Sequence, residues 1–522
     1  MRYKTPKELG SGKDLIARFD AAKARKAPWV SHLQECFKYT IPQRETFSQQ
    51  SPGQKRNQDI FDSTALIGVQ KFASRLQATI TPPWRRWSIL APGSEVPEEF
   101  HEEAQEDLDK ETKILFDHIN HSNFATQSHE AFLDLAVSTG AMTLERSDSD
   151  SSLLDFQAVP LADVFPEEGP DGSIETVWRE HRVPARHIER RWPGADLSQK
   201  TQRKVNDRPD EQIDLIEGTV FAPKAKLYYQ CIIERENDHI IWTQDYEVSP
   251  WIVFREMVCP GEVLGRGRVM TVLPDIKTAN KVVEYVLRAA ALNISGVYTA
   301  LDDGVMNQFT ANISPGSIIP VMSNDRTNPS LAALDRAGDP NLGYLVLESL
   351  QNRINKALFA DPYGDMESTP VKSATEMALR GQEMIQDSGS SFSRLQTEFV
   401  EKILKRAVSI LRQEGKMGQD VVVDGKSVTI KHTSPLSRAQ DQEDLMAMQQ
   451  FIAAVSQLGP EMMMLGLKLD DIPSWIGQKL GIEQKLLRPE VERKQMQQQA
   501  AQAAQQQAMA QQQAVQNEQQ KQ

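Results

Sequence analysis

Six short clusters in this sequence carry residue types that could do chemistry, and each falls short on spacing. Gly425-Lys426-Ser427 has the end of a phosphate loop, whose backbone N–H groups cradle an anion ahead of a helix. That loop needs Gly five residues before its Gly-Lys pair, and Asp420 stands there. A turn explains the three residues, and Gly12-Lys13 fails the same test. Leu264-Gly265-Arg266-Gly267-Arg268 offers two glycines of a dinucleotide turn, with Met270 at the third position. Two glycines alone specify only a tight strand-to-helix connection. His129-Glu130 opens like a zinc-protease helix, but Leu133 replaces the second His. His118 and His121 lie one helical turn apart with nothing to complete a metal site, so surface histidines are expected. Asp148 and Asp150 sit in a Ser-rich turn and read as solvated loop. No Ser/His/Asp or paired-carboxylate pattern stands out. A long chain without a catalytic signature is expected to be structural or interactive, with no cofactor and no metal.

The elements that must hold these groups follow from hydrophobic periodicity. Residues 11–40 read as a helix with Leu15, Ile16, Phe19, Ala22, Trp29, Leu33 and Phe37 inward and Pro28 interrupting. Residues 62–80 form a second helix, capped by Asp62 or Ser63 and stopped by Thr81-Pro82-Pro83. Trp84-Arg85-Arg86-Trp87 follows and reads as core tryptophans with salt-bridged arginines rather than a stacking platform. An acidic helix at 98–122 precedes one at 126–140, which Gly140 would end. Short strands then dominate 141–260, a mostly antiparallel block. A helix at 265–293 carries an apolar stripe from Val269 to Ala290, and Pro274 either kinks it or marks its first turn. Residues 294–340 are loop-rich with short strands at 296–301 and 317–322, and 341–359 is helical again. A Pro- and Gly-containing stretch, ADPYGDMESTPVK, separates it from a helical pattern at 373–413. Residues 421–430 read as a hairpin, with Asp424-Gly425 supplying two positive-φ positions. Short amphipathic helices occupy 436–482.

Composition sets the class. The 522 residues exceed one compact core. A formal charge of −13 argues against a generic coat on nucleic acid, though not against a local basic site or a channel along which DNA slides. Three scattered cysteines make no disulfide framework and fit a reducing cytoplasm. No apolar leader and no run of 18 apolar residues is present, so neither secretion nor a membrane is expected. After Arg493 the chain turns to Gln and Ala, able to be helical yet without large apolar side chains. Such a tail is either disordered or ordered by neighbouring copies of itself.

Taken in order, several segments resemble the portal protein, or head-to-tail connector, of short-tailed bacteriophages. They are Lys26-Ala27-Pro28-Trp29 followed by 36–42, Gly68 to Leu76 leading into 81–87, His129 to Gly140, and Leu264-Gly265-Arg266-Gly267 feeding a long helix. The resemblance spans roughly residues 10–500 and rests on the order of the motifs. It implies an α+β, mainly helical portal fold with wing, stem, clip and crown regions, in a ring of twelve around a central channel. It maps the wing to 1–263, stem helix 1 to 264–290, the clip to 291–340 and stem helix 2 to 341–358. A tunnel loop would occupy 359–372, with Asp361, Pro362, Tyr363, Gly364, Asp365 and Pro370 as its candidates. Further wing would follow at 373–435, crown helices at 436–494 and the Gln/Ala-rich tail at 495–522. Implied partners are eleven more copies, double-stranded DNA in the channel, the terminase motor, a tail adaptor, and the scaffold and major capsid proteins. The implied location is the portal vertex of the virion. Twelve chains would carry about −156, walls that repel phosphate and let DNA slide. Lys372 and Arg380 flank the loop as candidate grips, with Lys277 and Lys281 as weaker ones. A straight stem helix would not want Pro274. The competing readings are another virion structural or internal core protein, and a nucleic-acid-packaging enzyme. The missing phosphate loop and missing acidic metal cluster weigh against the enzyme.

Overall fold

The computed structural model describes residues 9–48, 53–83, 85–97, 100–149, 151–295, 340–360, 392–432 and 435–456, with short pieces at 298–300, 327, 331–333, 472 and 475–477. Helix α1 (Gly12–Thr40) starts at a capping box. Ser11 Oγ accepts from the Asp14 N–H at 3.3 Å, and Asp14 Oδ2 accepts from the Ser11 N–H at 2.9 Å. Leu15, Phe19 and Ala22 bury on one end of its stripe, Leu33 and Phe37 on the other. Pro28 does not interrupt it. The proline lies on the exposed side, where water takes the carbonyl it leaves, and packing on both flanks holds the helix through it.

The first half of α1 covers an antiparallel five-stranded sheet ordered β4 (Val164–Glu168), β5 (Ile174–Pro184), β6 (Gln212–Ala222), β7 (Leu227–Glu234), β8 (His239–Tyr246). Alternation places Trp178, Ile216, Val220, Cys231 and Ile233 on that face, where Phe19 meets the Trp178 and Phe165 rings. Gly218 is required there, since a Cβ would lie 2.3 Å from the Trp178 ring. On the opposite face α5 (Ala185–Arg191) and α6 (Gln199–Asp207) belong with the apolar group of Val183, Ile213, Leu215 and Ile232.

A second, three-stranded antiparallel sheet of β3 (Leu154–Ala158), β2 (Thr139–Arg146) and β9 (Trp251–Arg255) stacks on that same face through Ala141, Trp251, Val253, Val164 and Val177. Its other side, with Met142, Leu144, Phe156, Ile252 and Phe254, enters the largest core. That core is closed by α3 (His101–Asn120), α4 (Phe124–Val137), a π-turn at Gln396–Val400 and α9 (Glu401–Gln413). Phe399, on the π-turn, sits 4.5 Å from the Phe254 ring and 5.0 Å from Phe132. The π-turn also aims Glu398 at the buried Arg255, with Nη2 to Oε1 at 2.8 Å. Gly140 does not cap α4. It lies inside β2, where the Phe254 ring would come within 2.4 Å of a Cβ, so the glycine serves sheet packing.

The stretch 421–430 is not a hairpin. β12 (Val428–His432) pairs antiparallel with β1 (Ser88–Pro92), more than 300 residues away in sequence. Only Gly425 has positive φ (+80°), and Asp424 acts by its side chain, accepting from the Lys426 and Ser427 N–H groups at 2.8 Å each. Trp87 is core, edge-on to Phe116 at 5.0 Å, while Arg85 and Arg86 are exposed and Trp84 lies outside the described residues.

A remaining core joins the second half of α1 to α2 (Thr64–Ile80), α7 (Arg268–Ser295) and α8 (Pro340–Ala357). Neither Asp62 nor Ser63 makes a capping hydrogen bond to α2. Pro274 lies within α7, two turns from its start and exposed, for the reason given for Pro28. β10 (Tyr298–Ala300) pairs with β11 (Leu331–Ala333), and the expected strand at 317–322 lies outside the described residues. α10 (Pro435–Ser456) half-buries Leu445, Met448, Ile452 and Val455 at helical spacing. The fold is therefore mixed α and β rather than mainly helical. No described helix is long and apolar enough to cross a membrane.

Candidate assembly surface

α7 and α8 run antiparallel as a helical hairpin. Arg268 Nη1 donates to Ala357 O at 3.4 Å, Arg353 meets Asp275 at 3.3 Å, and a Cβ on Gly343 would touch Val286 at 3.4 Å. As one chain number rises the other falls, which fixes the direction. The root of the hairpin is buried: Val269, Val272, Leu273, Ile276 and Ala279 pack with Leu350, Ile354 and Leu358 against Val69 and Phe72 of α2. Asn280 ties in the loop before α2, its Oδ1 accepting from Phe61 N at 2.7 Å and its Nδ2 donating to Asp59 O at 2.9 Å.

Farther along, packing thins on both helices, with Val283 and Val286 only half-buried. Tyr285, Leu287, Tyr344, Leu345 and Val346 are exposed, Leu345 to 66 %. The apolar period expected over 265–293 and 341–359 is therefore core at one end, half-buried at Val283 and Val286, and exposed at Leu287, Leu345 and Val346. Clustered exposed apolar side chains on a rooted helical pair mark a protein–protein surface. A shallow concavity on α8, lined by Leu345, Glu348, Ser349, Asn352, Arg353 and Lys356, adjoins them.

The end of α8 is locked by residues that the sequence did not advertise. Ala360 N donates to Asn355 O at 2.7 Å and Phe359 N to Lys356 O at 3.2 Å, the two bonds of a Schellman cap. Its left-handed position is filled by Phe359 (φ +50°), not Gly. The Arg268 guanidinium stacks 3.8 Å from the Phe359 ring and donates to buried Glu256 at 2.6 Å. Arg75 donates to the Phe359 carbonyl. The first residue of α7 thus holds the residues just past α8.

The six clusters singled out for chemistry resolve as structure. The Gly265 N–H is used by Thr139 Oγ1 at 2.9 Å and the Gly267 N–H by Val137 O at 3.1 Å, so neither faces an anion. A Cβ on Gly267 would lie 2.3 Å from Ala136 O, which is why this connection needs glycine. At 424–427 the Asp424 carboxylate takes the place a phosphate would occupy, and those N–H bonds hold its pKa down to about 2. Gly12-Lys13 is the first turn of α1, behind the Ser11 cap. His118 lies within hydrogen-bond reach of Leu153 N at 3.5 Å, and His121 is exposed. His129 contacts Ser74 Oγ at 3.2 Å, while Glu130 pairs with Arg44 at 3.3 Å. Asp148 is exposed, and Asp150 lies outside the described residues. Among the described residues no group of three His, Cys, Asp or Glu could hold a metal.

Of the four candidate DNA grips, Lys277 and Lys281 are described. They share α7, one turn apart, and each meets an acid: Lys277 with Glu35 at 2.5 Å and Lys281 with Glu284 at 2.8 Å. Lys372, Arg380 and the loop candidates Asp361, Pro362, Tyr363, Gly364, Asp365 and Pro370 lie outside the described residues, as do the tail and most of the proposed clip. Lys26, missed in the sequence reading, sits buried on the apolar stripe of α1. A lysine at helical spacing between Ala22 and Leu33 was the available signal.

The described fold is mixed α and β, with a helical hairpin rooted in one of its cores and exposed apolar side chains farther along it. Across residues 12–487 the sequence matches the family of bacteriophage head to tail connecting proteins, and the chain belongs to that family. It is similar to a "Probable portal protein" of Bordetella phage BPP-1, 22 % identical over 530 residues that cover 94 % of this chain and 92 % of that protein. The head-to-tail connector expected from the order of the motifs is thereby met.

Proposed function

We propose that this chain is one subunit of a twelvefold portal ring at a single vertex of a short-tailed phage capsid. The ring is the channel for double-stranded DNA during packaging and ejection. It docks the terminase motor, and later the tail adaptor, and meets the scaffold and major capsid proteins during assembly. The observation that carries this reading is the α7–α8 hairpin, buried at its root and carrying exposed Tyr285, Leu287, Tyr344, Leu345 and Val346 farther along. A heterologous contact of one hairpin against the next closes into a ring when the rotation closes. In this arrangement 264–290 and 341–358 are the stem, 291–340 the clip, 359–372 the tunnel loop and 436–494 the crown. The β-rich layers are the wing. Lys277 and Lys281 line the stem as exchangeable cations whose acids Glu35 and Glu284 weaken any lasting grip on phosphate.

Negative-stain microscopy with mass photometry tests this on the full chain. Rings with a central hole are expected. Leu345→Glu, at an exposed position, should abolish rings while leaving the circular dichroism and Tm of the subunit unchanged. Intact rings in that variant would remove the hairpin from the subunit contact. Nucleotide hydrolysis by purified chain that stays monomeric would overturn the portal reading.

A further inference from the structure

The two stacked sheets do not meet through apolar side chains alone. On the face of the five-stranded sheet turned away from α1, one apolar group (Val183, Ile213, Leu215, Ile232) lies under α5 and α6. Another (Val164, Ile174, Val177) meets the three-stranded sheet. Between them runs a polar strip: Arg179 and His181 on β5, Glu217 and Thr219 on β6, Gln230 on β7. Register makes them neighbours, since Arg179 pairs with Glu217 and Thr219 with Gln230.

Part of the strip is satisfied by protein. Gln230 Nε2 donates to Glu217 Oε1 at 2.6 Å, and Tyr246 Oη donates to Gln230 Oε1 at 2.9 Å. The Arg406 guanidinium stacks on Tyr246 at 4.5 Å and donates to Leu144 O at 3.2 Å, tying the strip to the other sheet. The rest has no protein partner: Glu217 Oε2, Thr219 Oγ1, Arg179 Nε, His181 Nε2, and Trp251 Nε1 across the seam, where Trp251 packs in one group with Val177. Glu217 and Thr219 are 2 % and 0 % exposed. A buried polar atom without a partner gives up its hydration for nothing, and five in one seam exceed what a marginally stable fold tolerates.

We propose that this strip is a built site for ordered internal water, a hydrated joint between the two sheets. The donor set selects the ligand. Arg179 Nε and Trp251 Nε1 can only donate, Glu217 Oε2 accepts, and Thr219 Oγ1 does either. Water both donates and accepts and is small enough to fit between side chains in such a mixed set. A compact anion would lie against the carboxylates of Glu217 and of Glu145, which reaches Gln230 from β2, as well as against the Arg179 guanidinium, a mixed field that suits a neutral ligand better. A metal lacks a third anionic or imidazole ligand among the described residues. Bridging through water also lets the five-stranded sheet shift on its neighbour by exchanging bridges, which a dry, interlocked seam would resist.

Two experiments on the assembled full chain test the site. A map fine enough to show ordered water should hold density within hydrogen-bond reach of Glu217 Oε2, Thr219 Oγ1 and Arg179 Nε. A direct Arg179 Nε to Glu217 Oε2 bond with no such density overturns the proposal. Thr219→Val, nearly isosteric, then reads the sign. A hydroxyl bridged by water is lost at a cost, and Tm should fall by roughly 2–4 °C. Thr219→Ser keeps the hydroxyl and should fall less. A Thr219→Val protein as stable as wild type or more so, or one that falls less than Thr219→Ser, overturns the proposal, because removing a truly unpartnered hydroxyl relieves a penalty.

Discussion

Lys26→Met is the sharpest probe of how α1 is held. The lysine is 4 % exposed, and its Nζ donates to the carbonyls of Leu161, Ala162 (2.9 Å) and Val164 (2.8 Å). It lies 4.4 Å from the Phe165 ring and 5.5 Å from Phe47. Burial pushes its pKa down from 10.5 to about 7, with the Asp163 carboxylate opposing the fall. In the unfolded chain the amine keeps its proton up to its ordinary value. Between about pH 7 and 10.5 the unfolded state therefore binds more protons than the folded one, and this group's contribution to stability rises with pH. The slope is about 1.4 kcal/mol per pH unit, so between pH 7.5 and 9.5 wild type gains about 2.7 kcal/mol that Lys26→Met cannot gain. Methionine fills the volume and leaves those carbonyls without their donor, a loss of about 1–3 kcal/mol, but it is spared the cost of discharging a buried amine, so the variant is at its most favourable near neutral pH and falls behind as pH rises. Urea unfolding of both proteins across pH 7–10 measures the difference, and every other titrating group cancels in it. A gap that stays constant with pH would refute the reasoning, because it would mean that the carbonyls and rings hold the ammonium at its ordinary pKa.

Substitutions at three further joints extend the test. Phe359 occupies a left-handed position, so Phe359→Gly removes backbone strain along with the ring, whereas Phe359→Ala removes only the ring. Gly should exceed Ala here by about 1 kcal/mol in thermal melts, the reverse of their order within a helix. Glu398→Gln leaves buried Arg255 with Glu168 as its remaining carboxylate and should cost about 3 kcal/mol, read as a lower urea midpoint. Gly140→Ala drives a methyl into the Phe254 ring and should cost about 1–3 kcal/mol, while the same change at exposed Gly53, where nothing lies within 4 Å, costs only its positive φ.

Period and composition, which are properties of the chain itself, were legible. The stripes of α1, α2, α7 and α8 appeared in the sequence within a few residues of their ends, because helical spacing of apolar residues is a local signal. The β-rich block expected at 141–260 showed the same way, and β3 to β9 all fall within it. The alternation of β6 is the least regular, because Glu217 and Thr219 are polar yet buried. Pro28 was misread as an interruption, and Pro274, expected to kink α7 or mark its first turn, lies inside it, since a proline's cost depends on whether the carbonyl it abandons faces water. The reading of every chemical cluster as structural rested on spacing, and the glycines at 265 and 267 proved to serve close backbone approach.

Contacts between distant segments were not legible. Asp424-Gly425 suggested a local hairpin, yet β12 pairs with β1, a choice made by the core that both strands cover. Nothing local marks Arg268, Glu256 and Phe359 as one lock, or Glu217 and Thr219 as parts of a seam. Sequence fixes which side chains are apolar and at what period, because that depends on residues one turn or two positions apart. Only the folded chain decides which end of the α7–α8 pair is buried and which of its apolar side chains stay exposed, because burial is set by what else arrives there.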